Sequence, residues 1–94
     1  MAYQLDMDAE TRVLTSHMAP VRKSQVREAL HELREDPHLG KPLQEELAGL
    51  WSCRVGTFRI IYAIDLAREK VQVVAVGPRK SVYQDLEKQL GVRP

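Results

Sequence analysis

Cysteine and histidine are scarce in this sequence, and the familiar catalytic and metal-binding motifs built from them are missing. Cys53 is the only cysteine, which excludes an intrachain disulfide and a multi-cysteine metal site and favours a reducing, cytoplasmic compartment. The histidines, cysteine and acidic residues nowhere show metal-ligand spacing, so we expect no metal and no other cofactor. A glycine-rich phosphate loop and a serine nucleophile elbow are absent as well. Any catalysis must therefore use arginine, lysine or tyrosine.

Long apolar runs are also absent, which excludes a membrane-spanning helix because a bilayer requires roughly 20 consecutive apolar residues. Residues 1–6 lack the basic region and apolar stretch of a signal peptide. A chain of 94 residues that is 44% hydrophobic and 29% charged has the size and composition of one globular domain. We therefore expect one domain over residues 1–94, in the cytoplasm and without a membrane partner.

The net charge is only +1, but the charges are distributed unevenly along the chain. Residues 1–47 contain six Lys/Arg and nine Asp/Glu, a balance of −3, whereas residues 48–94 contain eight and four, a balance of +4. Such an asymmetry indicates an anionic partner for the basic half. The alternative is that surface charges merely fell unevenly.

The spacing of apolar residues predicts a strand and two helices in the first half of the chain. Alternation at residues 3–7 indicates the strand, and Asp8 is placed to cap a helix that ends at about residue 17. Pro20 suits the first turn of a second helix, which Pro37 ends, and the short link between them predicts an antiparallel hairpin. The expected apolar stripes are Val13, Leu14 and Met18 in the first helix and Val26, Ala29, Leu30 and Leu33 in the second.

The period of the apolar pattern changes to 2 in the second half, which predicts strands at residues 51–55, 58–65 and 71–76. Residues 37–49 are expected to form a loop with one helical turn near Glu45. A final helix is predicted over residues 81–90, with Val82, Leu86 and Leu90 on one face. The predicted fold is α+β: an N-terminal strand, an antiparallel helical hairpin, a three-stranded antiparallel meander completing one sheet, and a C-terminal helix. We expect the helices on one face of the sheet.

Gly56-Thr57 matches a two-residue type II′ hairpin turn, and this turn fixes the register of the strands around it. Arg54 then lies directly opposite Arg59 on the face that also carries Ser52, while Cys53 and the apolar residues of both strands form the core face. Two opposed arginines repel unless an anion lies over them, and guanidinium groups bind phosphate through two parallel hydrogen bonds. Alternatively, each arginine pairs with a local carboxylate or extends into water.

A second basic cluster, Arg79-Lys80, follows the third strand of the meander. Tyr83 comes four residues after Arg79, a spacing that places two side chains on one face of a helix. An arginine and a phenol together can stack on a base or act on a phosphate ester. The alternative, which the residues alone favour, is a tyrosine near the helix start that packs against the sheet edge.

Three segments resemble the RelE branch of the RelE/ParE toxin superfamily. They are residues 40–43 (GKPL), 46–62 (ELAGLWSCRVGTFRIIY) and 76–83 (VGPRKSVY). The order of the predicted elements also fits, so the resemblance covers nearly the whole chain and implies a RelE-like microbial ribonuclease fold. It further implies the toxin of a type II toxin–antitoxin pair, a ribosome-dependent endoribonuclease that cleaves mRNA in the ribosomal A site. In that reaction the 2′-hydroxyl of the mRNA attacks the adjacent phosphate, so no metal or protein nucleophile is needed.

The resemblance implies a role for each residue of the basic face. Arg59 is expected to stabilise the scissile phosphate, Arg79 to add charge stabilisation or serve the leaving 5′-oxygen, and Tyr83 to stack on a base or assist proton transfer. Arg54 is expected to act on the 2′-hydroxyl or the RNA backbone. A guanidinium has a pKa above about 12, which argues against Arg54 as the general base and leaves that base unassigned. The RNA-binding residues implied are Lys80, Arg54 and Ser52.

The partners implied are the 70S ribosome with its mRNA and a cognate RelB-like antitoxin that forms a hetero-oligomer with the toxin. An antitoxin helix would dock on apolar grooves or displace the C-terminal helix. Two alternatives remain. One is a ParE-like toxin of the same fold that inhibits DNA gyrase by binding, although Arg59, Arg79 and Tyr83 together favour the nuclease. The other is a catalytically weak toxin that acts mainly as an antitoxin-binding partner, since Ser52 stands where some members carry lysine.

Overall fold

Three consecutive antiparallel strands form from the alternating apolar residues of the second half. In the computed structural model, which describes residues 2–90, they are β3 (Leu50–Val55), β4 (Phe58–Asp65) and β5 (Lys70–Pro78). The predicted meander is therefore confirmed. β5 continues through Gly77 and Pro78, which we expected to end it, and Pro78 is tolerated there because it is the last residue of the strand.

Two further strands extend the meander to a five-stranded sheet in the order β1-β5-β4-β3-β2. β1 (Gln4–Met7) is the predicted N-terminal strand and pairs in parallel with β5. β2 (Lys41–Pro42) pairs antiparallel with β3 and lies within residues 37–49, which we expected to form a loop. The expected helical turn is present at Glu45–Leu47, and another occurs at Pro37–Leu39. The apolar periodicity of the sequence did not predict β2, because a strand of two residues is too short to show a period.

The predicted helical hairpin consists of α1 (Ala9–Ser16) and α2 (Pro20–Glu35). The Asp8 side chain caps α1 as expected, accepting a hydrogen bond of 2.7 Å from the Thr11 backbone N–H. This hydrogen bond is the main reason that the pKa of Asp8 is lowered, because it stabilises the carboxylate form. Pro20 occupies the first turn of α2, where its missing N–H costs no hydrogen bond.

The apolar residues of α2 pack as predicted, whereas those of α1 do not. Val26 and Leu33 are buried against one face of the sheet. In α1, by contrast, Val13 and Leu14 are 54% and 57% exposed, and Thr11 is the buried residue. This short helix lies beside β5 and turns Thr11 inward, so the prediction is wrong for Val13 and Leu14, whereas Met18, just after the helix, packs against the core as predicted. The other buried members of the α2 core are Cys53, Val55, Ile60, Tyr62, Val71, Val73 and Val76.

The C-terminal helix α3 (Val82–Leu90) covers the face of the sheet opposite to α2. The expectation that all helices share one face is therefore wrong. Val82 and Leu86 are buried with Ile61 of β4 in a second apolar cluster, and Ile61 requires this cover because it projects from the polar face. The side chain of Leu90, the third apolar residue predicted for this helix, lies outside the described residues. No helix within residues 2–90 is long and apolar enough to cross a membrane.

A β-bulge lets β5 contribute to both cores. Ile61 pairs with Ala75 and Tyr62 pairs with Val73, which leaves Val74 as the extra residue. Val74 and Ala75 therefore both pack against the α3 cluster, while Val73 packs against the α2 core. The bulge thus accounts for the uneven alternation of apolar residues in this strand.

Candidate active site

The β3–β4 hairpin has the predicted turn and register. Gly56 has a φ of +60° and Thr57 does not have a positive φ, which is the combination that a type II′ turn requires. Arg54 lies directly opposite Arg59, and Ser52 lies two residues before Arg54 on the same strand. Opposed residues, and residues two apart along a strand, project from the same face of a sheet. These three side chains therefore share the face that α3 partly covers.

Arg79 and Lys80 lie beside the hairpin turn. The Arg79 backbone N–H donates a hydrogen bond of 2.9 Å to the Thr57 carbonyl oxygen, which holds the segment after β5 against the turn. Arg54, Arg79 and Lys80 line a cleft of about 400 Å³ at this end of the sheet. We call it the turn cleft.

Tyr83, in the first turn of α3, contacts Ser52 in β3. Their hydroxyl oxygens are 2.8 Å apart, so one hydroxyl donates a hydrogen bond to the other. Tyr83 is half-buried beside the second apolar cluster, so it packs on the sheet while its hydroxyl reaches the polar face. Ser52, Arg54, Arg59 and Tyr83 line a second cleft of about 600 Å³, which we call the sheet cleft.

Arg54 lines both clefts, so the turn cleft and the sheet cleft form one continuous surface. Every site residue singled out in the sequence lies on this surface. Arg59 is half-buried, whereas Arg54, Arg79 and Lys80 are exposed. A ligand bound to this surface therefore contacts exposed cations that surround the less accessible guanidinium of Arg59.

None of the cations on this surface forms an ion pair with a carboxylate among the described side chains. The ion pair found among residues 2–88 joins Arg68 and Asp65 across 4.0 Å, at the other end of β4. Glu32 of α2 lines the sheet cleft but forms no ion pair with the described side chains of Arg54 or Arg59. Ion pairs with the described carboxylates therefore do not offset the repulsion between Arg54 and Arg59.

One wall of the sheet cleft is held by contacts that the sequence pattern does not reveal. Tyr62 is fully buried, and its hydroxyl donates a 2.7 Å hydrogen bond to the Pro37 carbonyl oxygen and accepts one of 3.1 Å from the Gly40 N–H. A Cβ atom on Gly40 would lie 2.6 Å from this hydroxyl, so the close approach requires glycine. Burial raises the pKa of Tyr62 to about 12, which keeps the phenol protonated. Gly40 leads directly into Lys41, which also lines the sheet cleft and was not predicted as a site residue.

Cys53 faces the α2 core, as predicted, and is buried. Desolvation raises the pKa of its thiol, the charge of Glu32 adds to this effect, and the charge of Arg59 opposes it. The thiol is therefore protonated near neutral pH and is not activated as a nucleophile. None of the three histidines, all in the described part of the chain, lines either cleft.

Comparison with known proteins identifies the family. A family model described as the ParE toxin of type II toxin–antitoxin systems matches residues 8–83. The chain belongs to the RelE/ParE toxin superfamily. It is similar to toxin RelE of Mycobacterium tuberculosis, with 42% identity over 53 residues that cover 55% of each chain. It is also similar to toxin RelG of the same organism, with 43% identity over 51 residues that cover 54% of this chain and 59% of RelG. These matches thus span little more than half the length of either RelE-type relative.

Solved structures of this superfamily have the same fold. The RelBE2 toxin–antitoxin complex of M. tuberculosis contains a chain with 33% identity and a TM-score of 0.76, and the match covers 84% of this chain and 100% of that one. A mutant of the Escherichia coli toxin RelE in the free state superposes with a TM-score of 0.75 over 96% of this chain and 99% of RelE. At 22% identity, the second match shows a shared fold only. With the RelE and RelG matches, the first assigns the chain to the RelE-like branch.

Proposed function

We propose that this chain is a metal-independent endoribonuclease that cleaves mRNA in the ribosomal A site and thereby inhibits translation. Residues 1–94 act as one toxin domain in this proposal. The observation that carries it is the grouping of Arg54, Arg59 and Arg79 on one face, without carboxylate partners among the described side chains and close to the Tyr83 hydroxyl. Membership of a toxin superfamily that includes RelE supports the same function.

A surface of this composition suits an RNA reaction in which the substrate supplies the nucleophile. The 2′-hydroxyl loses its proton and attacks the adjacent phosphorus, the bond from phosphorus to the 5′-oxygen breaks, and the 5′-oxygen gains a proton. The products are a 2′,3′-cyclic phosphate and a 5′-hydroxyl. The protein must stabilise the pentacoordinate phosphorane and assist the two proton transfers. Guanidinium groups suit the first task because they donate two parallel hydrogen bonds to phosphate oxygens.

We assign each residue the role that the family resemblance implies and that its position allows. Arg59, the least exposed of the cleft cations, binds the non-bridging oxygens of the scissile phosphate. Arg79 stabilises charge on the leaving 5′-oxygen, and Arg54, which lines both clefts, binds the RNA backbone or the 2′-hydroxyl. When Ser52 donates its hydrogen bond to the Tyr83 oxygen, the phenol proton is available to the reacting RNA. Beside these groups, Lys80 binds a neighbouring phosphate.

Single-turnover cleavage on programmed ribosomes tests these roles. Arg59→Ala and Arg79→Ala should each lower the rate by about 100-fold or more, because removing one donor to a transition-state oxyanion costs about 2.7–4 kcal/mol. The matched control is Arg68→Ala, which removes an exposed arginine that pairs with Asp65 away from both clefts. It should cleave like the unaltered chain, and all variants should remain folded by circular dichroism. Normal cleavage by both site variants would refute the assignment.

Inhibition of DNA gyrase is the second candidate, because the matching family model is described as the ParE toxin. In this case the basic face would bind gyrase or its DNA, and no RNA bond would break. A supercoiling assay run beside the ribosome assay separates the two candidates. Cleavage of mRNA with normal supercoiling supports the nuclease, whereas blocked supercoiling without cleavage supports gyrase inhibition.

We further propose that the chain forms a hetero-oligomer with a cognate antitoxin. The 33% identical chain comes from a toxin–antitoxin complex, which supports such a partner. Val13, Leu14 and Val21 are 54–72% exposed on the helical hairpin, and Leu14 also borders a groove lined by Val82 and Leu86. Leu14→Asp should weaken antitoxin binding by about tenfold, because it places a charge in an apolar contact. Unchanged affinity in calorimetry would argue against this surface.

A further inference from the structure

Lys41 lies on the face of the sheet that carries Arg54 and Arg59, although the sequence assigned it no role in the site. In β2 it lies directly opposite Ser52 of β3, and opposed residues of antiparallel strands project from the same face. Ser52 shares that face with Arg54 and Arg59. Consistent with this register, Lys41 lines the sheet cleft together with all three residues.

These four side chains form a small array across three strands. In an antiparallel sheet, opposed Cβ atoms are about 4.5–5.5 Å apart and diagonal neighbours about 7–8 Å apart. Lys41 and Arg54 are diagonal neighbours, so their long side chains can reach adjacent phosphates of one RNA strand. Lys41 is exposed and forms no ion pair with the side chains described up to residue 88. Its ammonium group is therefore available to an anionic ligand.

The backbone around Lys41 is anchored on both sides. The preceding residue, Gly40, donates its N–H to the buried Tyr62 hydroxyl, and Leu43 donates its N–H to the Leu50 carbonyl oxygen at 2.8 Å. A two-residue edge strand has few ladder hydrogen bonds of its own, so these anchors fix its position. Lys41 is consequently presented to the cleft from a defined place rather than from a loose loop.

We propose that Lys41 is a further RNA-contacting cation and binds the phosphate next to the scissile one, on the side away from the turn cleft. This inference rests on the proposed function, because its ligand is the RNA backbone. The cations then form a row from Lys80 after β5 through Arg59 in β4 and Arg54 in β3 to Lys41 at the sheet edge, which suits a groove that follows a single strand. Ser52 contributes no charge to this row, and Lys41 supplies an ammonium group from the opposite position.

The inference is tested by the salt dependence of binding to 70S ribosomes whose A-site codon carries non-cleavable 2′-deoxynucleotides. Lys41→Gln should weaken binding by about tenfold and lower the slope of log affinity against log salt by about 0.7, the change for one lost contact to a single-strand phosphate. Lys41→Arg should retain both the affinity and the salt slope of the unaltered chain. The matched control, Lys70→Gln, removes a lysine that lies opposite Asp65 in the β4–β5 ladder, at the other end of the sheet, and should change neither the affinity nor the salt slope.

Single-turnover cleavage provides the second readout. Lys41→Gln should cleave about tenfold more slowly, whereas Lys41→Arg, which keeps a positive charge at this position, should cleave at nearly the unaltered rate. Unchanged affinity and salt slope in Lys41→Gln, with normal folding by circular dichroism, would overturn the inference. If the unaltered chain fails to cleave while the salt slope still depends on Lys41, the nuclease function fails and the phosphate contact stands.

Discussion

Tyr62→Phe removes a single oxygen atom from the interior and leaves the shape of the ring unchanged. In the folded protein that oxygen bonds both the Pro37 carbonyl and the Gly40 N–H, 22 to 25 positions away in the sequence. The variant therefore separates the hydrogen bonds that anchor residues 37–40 from the apolar packing of the ring. We expect a large loss of stability from this small change.

The size of the loss follows from the burial of the two backbone groups. Pro37 is buried, and an unpaired buried acceptor costs about 1–3 kcal/mol. Gly40 is only half-buried, so its N–H recovers part of its hydrogen bonding from water and adds less. Together they predict a fall of about 2 kcal/mol in the free energy of unfolding. For a chain of 94 residues this corresponds to a drop in Tm of about 8–16 °C.

Urea unfolding followed by tryptophan fluorescence measures this loss. Trp51 is the only tryptophan, and its ring stacks on Tyr62 with 6.4 Å between centroids, so the probe reports on this region. The control is Tyr3→Phe, since the Tyr3 hydroxyl has no hydrogen-bond partner among the described residues. A loss below about 0.5 kcal/mol in Tyr62→Phe, equal to that of the control, would show that these two hydrogen bonds do not stabilise the fold.

Three other outcomes are expected. Because burial raises the pKa of Tyr62 from 10.0 to about 12, its contribution to stability is complete below pH 10 and is lost as the pH rises to about 12. The stability difference between the unaltered chain and Tyr62→Phe should shrink over this range, and a constant difference would contradict this. Gly40→Ala should destabilise the fold by about 1–3 kcal/mol in urea unfolding, since its Cβ would lie 2.6 Å from the Ser52 carbonyl oxygen and the Tyr62 hydroxyl. Ser52→Ala should slow single-turnover cleavage by about tenfold through loss of the bond to Tyr83, with an unchanged melting temperature.

Local geometry explains why the sequence predicted the centre of the site. A two-residue turn at Gly56 fixes the register of both strands, and the register alone brings Arg54 opposite Arg59. The position of Tyr83 next to Ser52 did not follow from this geometry. An amphipathic pattern shows which side of a helix is apolar, not which face of the sheet it covers, so α3 was assigned to the wrong face.

Contacts between distant residues explain what the sequence did not show. β2 is fixed by the Tyr62 hydroxyl and by pairing with β3, and neither leaves a local pattern in residues 37–49. Lys41 was missed as a site residue for the same reason. One signal was present in retrospect: Ile61 lies on the face of the arginines, and a large apolar residue there requires a cover such as α3.

The proposed nuclease is tested most directly by changing the nucleophile in the substrate. Ribosomes are programmed with mRNA whose A-site codon carries either the 2′-hydroxyl or a 2′-deoxy sugar at the cut position, and the products are mapped with the unaltered chain. We expect cleavage of the first mRNA, with a 2′,3′-cyclic phosphate and a 5′-hydroxyl at the new ends, and an intact second mRNA. Cleavage of the 2′-deoxy mRNA at a similar rate, or no cleavage of either one, would contradict the proposed nuclease function.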